Sequence, residues 1–235
     1  MILYNTLMGV AAGLALILVP LLVRKLNARK PIAPEGWAVS LGTLGLLLAV
    51  LGGVMSTTWP LTANPPINIM FGEPSMFLGV LLLAAALFLW SRRELIAQIS
   101  GPNKKASDEA YAYITRVLAP VSWVLFGLGM LLFACSLAVF RFGFVGGAPA
   151  AEPITGLLHD KPFIENTFFG AIYLLPALGL LAMPWAARNF GSKLARFALM
   201  LLTIAGVAFL LFSALNYYTH IGLLVNLLEG KNFKF

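Results

Sequence analysis

Residues 57–75 read TTWPLTANPPINIMFGEPS, a polar, proline-rich connector between two apolar runs, residues 37–57 and 74–90, each long enough to cross a membrane. The connector has no Lys or Arg and a single acid, Glu73, and it carries Trp59, Met70 and Phe71 as interfacial anchors. It therefore reads as an ordered extracytoplasmic loop. The spacing predicts that the next helix starts at Glu73-Pro74, because proline suits the first helical position and a carboxylate is favoured near the positive end of the helix dipole.

Composition extends this reading to the whole chain. Hydrophobic residues make up 60% of the 235, charged residues only 11%, and mean hydropathy is +0.90. Soluble domains hold roughly 45–50% apolar and about 25% charged residues, so this balance specifies an integral membrane protein. A bilayer core of about 30 Å takes about 20 apolar residues per helix, since each backbone polar group must find its partner inside the helix. Six such runs occur, near residues 2–23, 37–57, 74–90, 120–140, 163–187 and 197–220, followed by a tail at 221–235. They use most of the chain and leave no room for a soluble domain. The expected fold is an all-α, polytopic, six-transmembrane-helix bundle forming a single domain.

The first run reads as a retained first helix rather than a signal peptide: no basic residue precedes it, and its apolar length exceeds the roughly 7–15 residues of a signal core. Gly9 and Gly13 offer it a small-xxx-small face, and Gly42, Gly45, Gly52 and Gly53 do the same for the second run. Pro176 and Pro184 should kink the fifth. Residues 107–118 either extend the fourth helix or lie along the membrane surface. Residues 197–228 overshoot the bilayer, so their end either projects as helix or bends along the surface. The second and fourth runs share a Trp and paired-glycine pattern (Trp37, Gly42, Gly45; Trp123, Gly127, Gly129), a weak echo that a repeat or shared topology would each produce.

Basic residues set the orientation. The links after runs one, three and five carry Arg24, Lys25, Arg29 and Lys30, then Arg92, Arg93, Lys104, Lys105 and Arg116, then Arg188, Lys193 and Arg196; the other two links carry only Arg141 and Lys161. The positive-inside rule then puts both termini outside the cell membrane. The net charge of +7 is a topology signal and gives no reason to expect nucleic-acid binding.

Candidate chemistry gathers at the outer face: Asn64, Asn68 and Glu73 in the first loop, His159 and Asp160 in the second, Glu165 and Asn166 opening the fifth helix, and Tyr217, Tyr218 and His220 near the end of the sixth. Glu73, Glu165 and His220 are the weak candidates for a metal or for proton relay at a quinol-like pocket, since carboxylate and imidazole are ordinary ligands. None sits at a tight ligand spacing, and Glu165 serves equally well as a helix cap. Cys135 is the single cysteine, so the chain has no disulfide or thiol pair. No phosphate-cradling glycine loop or nucleophile elbow is present, no residue is assigned a catalytic role, and no cofactor is assigned.

The opening LYNTLMGVAAG (residues 3–13), TWPL (58–61) and NIMFGEPS (68–75) resemble the uncharacterised bacterial and archaeal integral membrane family known as domain of unknown function 981. The resemblance covers nearly the whole chain, and the TWPL…FGEP pairing is its most specific part. It implies the six-helix architecture and emphasises Trp59, Pro60, Asn68, Phe71, Gly72, Glu73 and Pro74 without giving them roles. Three functions follow as expectations. The first is a non-catalytic subunit or scaffold, packing in the lipid bilayer against other membrane-protein subunits or its own copies, within a larger, for example respiratory, complex. The second is a channel or small-molecule transporter, which requires a continuous polar cavity reaching the midplane. The third is a metal-, haem- or quinone-binding redox protein using the outer Glu and His residues.

Overall fold

Prolines and polar caps decide where the helices begin. In the computed structural model, which describes residues 3–230, Pro34, Pro66 and Pro162 open α2 (Pro34–Thr58), α3 (Pro66–Ser91) and α6 (Pro162–Leu181), where a missing N–H costs nothing. The side chains of Asn103 and Ser192 cap α5 (Lys104–Phe142) and α8 (Lys193–Leu228) by accepting from the backbone N–H groups of Ala106 and Ala195. With α1 (Leu3–Asn27), the short α4 (Arg93–Ala97) and α7 (Met183–Ala186), and two 3-10 turns, these are all the regular elements among the described residues; there is no strand. Six of the helices are long and apolar enough to cross a membrane. The protein is an all-α, polytopic six-helix bundle.

Several boundaries differ from those the sequence predicts. The third helix starts at Pro66, not at Glu73-Pro74, so the connector shrinks to residues 59–65 and residues 66–75 are helical. Proline inside a helix removes a donor, and at Pro74 the group left without its partner is the Met70 carbonyl. Tyr173 of α6 resolves this, its hydroxyl donating to Met70 O at 3.0 Å. Glu73 is therefore no helix start; it sits two turns into α3 on the exposed side.

Residues 107–118 are part of one unbroken α5 of 39 residues, and the expected tail continues as α8 as far as Leu228. At about 1.5 Å per residue these helices are roughly 58 and 54 Å long, well beyond a bilayer core of about 30 Å. The fifth span ends at Leu181 rather than 187, because Ala182 breaks the helix and Pro184 falls in the first turn of α7. Residue 2 of the first expected span and residues 231–235 of the expected tail lie outside the described residues.

The helices associate as three close antiparallel pairs, α2 with α3, α5 with α6, and α1 with α8. Glycine makes the approach possible. A Cβ on Gly45 would stand 2.9 Å from the Gly79 carbonyl oxygen, and one on Gly13 would stand 2.8 Å from that of Gly206, so only hydrogen fits at these crossings. One apolar core joins α1, α2 and α3 to the start of α5 (Leu41, Leu48, Met55, Ile114), and a second joins α5 to α8 (Leu128, Ile172, Ala177, Leu199). Helices α3 and α5 touch only sparsely, and a cavity lies between the two cores.

The basic end is clipped together. Arg29 donates to the carbonyl and hydroxyl oxygens of Ser107 at 2.7 and 2.8 Å and pairs with Asp108 at 3.1 Å. Its guanidinium also lies 4.2 Å from the centre of the Tyr111 ring, which anchors the α5 extension to the end of α1.

Candidate functional site: a capped apolar shaft

Each of α1, α3, α5, α6 and α8 turns one stripe of side chains, spaced three or four residues apart, toward a common central cavity of about 420 Å³. Helix α2 contributes nothing to the lining and packs behind α3. On α1 the stripe runs from Asn5 to Val23, about 27 Å at ~1.5 Å per residue. The cavity is therefore elongated along the bundle, a shaft rather than a local pocket.

The shaft has three zones along its length. At the end where α1 begins and α8 finishes it is lined by polar groups: Asn5 and Thr6 of α1, Asn216 and His220 of α8, Glu165 of α6 and Glu152 of the 143–161 loop. Beneath these lies an aromatic collar of Phe71, Phe169 and Phe212, with ring centres 5.9 Å apart for Phe71–Phe169 and 5.1 Å for Phe169–Phe212. The remainder is aliphatic, lined by residues such as Leu16, Leu78, Leu128 and Leu202. At the basic end the shaft shares Val23, Phe190 and Leu199 with a second hollow of about 320 Å³, flanked by Arg24, Asn27 and Arg196.

The cap owes its geometry to Glu152, only 6% exposed. The Thr219 hydroxyl donates to Glu152 Oε1 at 2.7 Å, and His220 Nε2 stands 3.5 Å from the same oxygen. His220 Nδ1 lies 3.2 Å from Thr6 Oγ1, so the imidazole bridges the second loop to α1. Asn226 Nδ2 donates to the Ala151 carbonyl at 2.8 Å, holding the loop along α8. Glu165 Oε2 accepts from the backbone N–H groups of Gly147 and Ala148 at 2.6 and 3.1 Å, and Asn166 Oδ1 accepts from those of Val145 and Gly146. The loop is thus a roof tied to α6 and α8.

Of the three candidates for a metal or for proton relay, Glu165 and His220 both line this cavity. Glu73 does not reach it, and among the described residues no group of three or more His, Cys, Asp or Glu side chains comes together. Glu165 braces the roof rather than capping its own helix, and His159 and Asp160 are exposed. In the first loop, Asn68 is fully buried, bonded to both backbone groups of Leu61 and to the Pro65 carbonyl. Trp59 ends α2 in a left-handed conformation with φ 46°, its indole N–H donating to Ser56 O, and Pro60 follows half-buried. Phe71 and Pro74 line the shaft, and Gly72 is packed against α2 at Ser56. Sequence reasoning missed Glu152. Its signal was an acid in a Gly/Ala/Pro-rich loop with no neighbouring base, facing the Thr219-His220 pair across the topology.

A family model described as Protein of unknown function (DUF981) matches residues 1–222. The chain belongs to the DUF981 family. No curated protein and no solved structure matches it significantly. The match covers the shaft, the collar and the cap residues of this DUF981 chain as far as Gly222, so the whole cavity lies within the family region.

Proposed function

We propose that this chain is a membrane-embedded binding protein for a single-chain amphiphile drawn from the bilayer. The observation that carries the reading is the elongated apolar shaft, about 420 Å³ in volume, inside the bundle. Aliphatic and aromatic side chains line most of its length, and such a surface accepts hydrocarbon far more readily than water or a polar ligand. A hydrocarbon chain matches that lining, and lipid is its nearest source. The sparse α3–α5 seam supports lateral entry, since Leu78, Leu81, Val121 and Leu125 line the cavity there and are only half-buried.

In the orientation that the basic links favour, the arginine-flanked mouth faces the cytoplasm, and the polar cap and both termini face outward across the cell membrane. The aliphatic shaft gives no support to an aqueous channel, which needs polar groups at the midplane.

The test is extraction of the protein directly from its membranes in polymer-bounded discs, with native mass spectrometry and lipid identification. Wild type should carry about one lipid molecule not enriched in the surrounding membrane, and Leu78→Trp together with Ala12→Trp, which plug the shaft, should carry none. Equal loading of wild type and plugged protein would overturn the reading. Stoichiometric protein partners with an unloaded shaft would favour the accessory-subunit reading instead.

A further inference from the structure

The hollow of about 320 Å³ at the basic end of the shaft is lined by side-chain donors and by no acid. Arg24 and Arg196 line it, and neither guanidinium has an ion-pair or hydrogen-bond partner among the described residues, whereas Arg29 nearby on α1 is held by Ser107 and Asp108. Asn27 lines it too. Its Oδ1 accepts from the Tyr111 hydroxyl at 3.0 Å, which leaves the amide hydrogens as what this side chain has to offer. The carbonyls of Arg24, Lys25 and Leu26 in the last turn of α1 are already taken by the N–H groups of Ala28, Lys30 and Arg29. Guanidinium groups are planar forks of donors that match the oxygens of a carboxylate or a phosphate.

Resting on the reading of the shaft as an amphiphile site, we infer that its occupant is a single-chain lipid with a terminal oxyanion head, a carboxylate or a phosphate monoester, held in this hollow. Val23, Phe190 and Leu199 line both spaces, so a head among Arg24, Asn27 and Arg196 leads directly into a chain in the shaft. From Val23 to the collar, where Gly9 packs on Ser213 beside Phe212, is about 21 Å at ~1.5 Å per residue. One leaflet of a bilayer core of about 30 Å gives an acyl chain roughly 15 Å. A whole chain therefore ends beneath the Phe71–Phe169–Phe212 collar, short of the polar groups. The reverse orientation fails, because Glu152 and Glu165 line the far end and no Lys or Arg among the described residues lines the shaft to offset an anion there. An ammonium head meets two cations at the basic mouth.

The experiment uses the full chain in discs and a long-chain alkyl monophosphate with a diazirine at the end of its tail. Photolabelling is competed, at matched membrane content, by the unlabelled phosphate and by the alcohol and primary amine of equal length. On wild type the phosphate should compete about tenfold or more better than the alcohol, the worth of one charge-assisted hydrogen bond, and the amine no better than the alcohol. On Arg24→Gln/Arg196→Gln phosphate and alcohol should compete equally, with labelling of the shaft retained. Arg188→Gln/Lys193→Gln removes equal charge from the same basic end without touching the hollow, and should leave the wild-type ratio unchanged. The label should fall on α6 or α8 beside Phe169 and Phe212.

Equal competition by phosphate and alcohol on wild type would overturn the head-group assignment while leaving the shaft as a chain site. So would a preference lost equally in Arg188→Gln/Lys193→Gln, because that traces it to the general field of the basic face. A label beside Val23 and Phe190 would overturn it too, since the head then sits at the far end. Inorganic phosphate that displaces the probe as well as the alkyl phosphate does, at the same concentration, would make the hollow a site for a free anion instead. Labelling that no competitor reduces would sink both readings. If Arg24→Gln/Arg196→Gln does not fold, the phosphate-to-alcohol ratio and the label position on wild type decide.

Discussion

Tyr173 serves the carbonyl that Pro74 leaves without a partner, and a double-mutant cycle tests that dependence. Pro74 lacks the N–H that would reach back to the Met70 carbonyl, and the Tyr173 hydroxyl supplies the missing donor at 3.0 Å from a fully buried position. Tyr173→Phe removes only that hydroxyl. A buried carbonyl left unpaired costs about 1–3 kcal/mol, while interhelical hydrogen bonds in membrane bundles average about 0.6 and reach about 1.7 kcal/mol. The expected loss in the Pro74 background is therefore about 1–1.5 kcal/mol. Pro74→Ala restores an N–H at position 74, and the Met70 carbonyl regains a partner within its own helix. In that background Tyr173→Phe should cost no more than about 0.3 kcal/mol, the usual scatter for independent sites. The coupling of about 1 kcal/mol is read from four unfolding curves in mixed micelles titrated with SDS. An equal cost of Tyr173→Phe in both backgrounds would refute the claim that the tyrosine serves the proline's orphaned carbonyl.

Three further outcomes are expected. Asn68→Ala removes three hydrogen bonds of a fully buried side chain and should cost about 3 kcal/mol at ~1 kcal/mol each, measured by the same titration, with the 59–65 turn the first segment to exchange its amide hydrogens. Glu152→Leu cuts the roof from Thr219 and His220, so amide exchange should rise about tenfold or more in residues 147–157 while the α2–α3 pair stays protected. Gly45→Val forces α2 and α3 apart at a crossing where a Cβ has 2.8 Å to the Leu83 nitrogen, and should cost about 3 kcal/mol or abolish folding.

The architecture was legible because the bilayer imposes one simple rule, a run of about 20 apolar residues per crossing, and the chain obeys it six times. Boundaries were less legible where proline carries two meanings. Pro66 opens a helix and Pro74 lies inside one, and the difference depends on Tyr173, about a hundred positions away. The site was half legible. His220 and Glu165 stood out as rare polar residues on apolar helices, but Glu152 looked like an ordinary loop acid, and its burial depends on the loop folding back onto α8. The shaft itself leaves no local signature. A stripe of Leu and Phe reads the same whether it meets another helix or a cavity, so the cavity emerges only from how the close pairs are arranged around the sparse α3–α5 seam.

The pairing of α1 with α8 sets a schedule for biosynthesis. Thr6 finds His220, and Gly13 finds Gly206, across nearly the whole length of the chain. At about 5–20 residues per second, 214 positions correspond to roughly 10–40 s between emergence of the first partner and the last. Throughout that interval the glycine-bearing face of the first helix is in the membrane without its mate, exposed to premature association with other nascent helices. A ribosome that stalls before the last helix releases a chain whose first helix has no partner for that face.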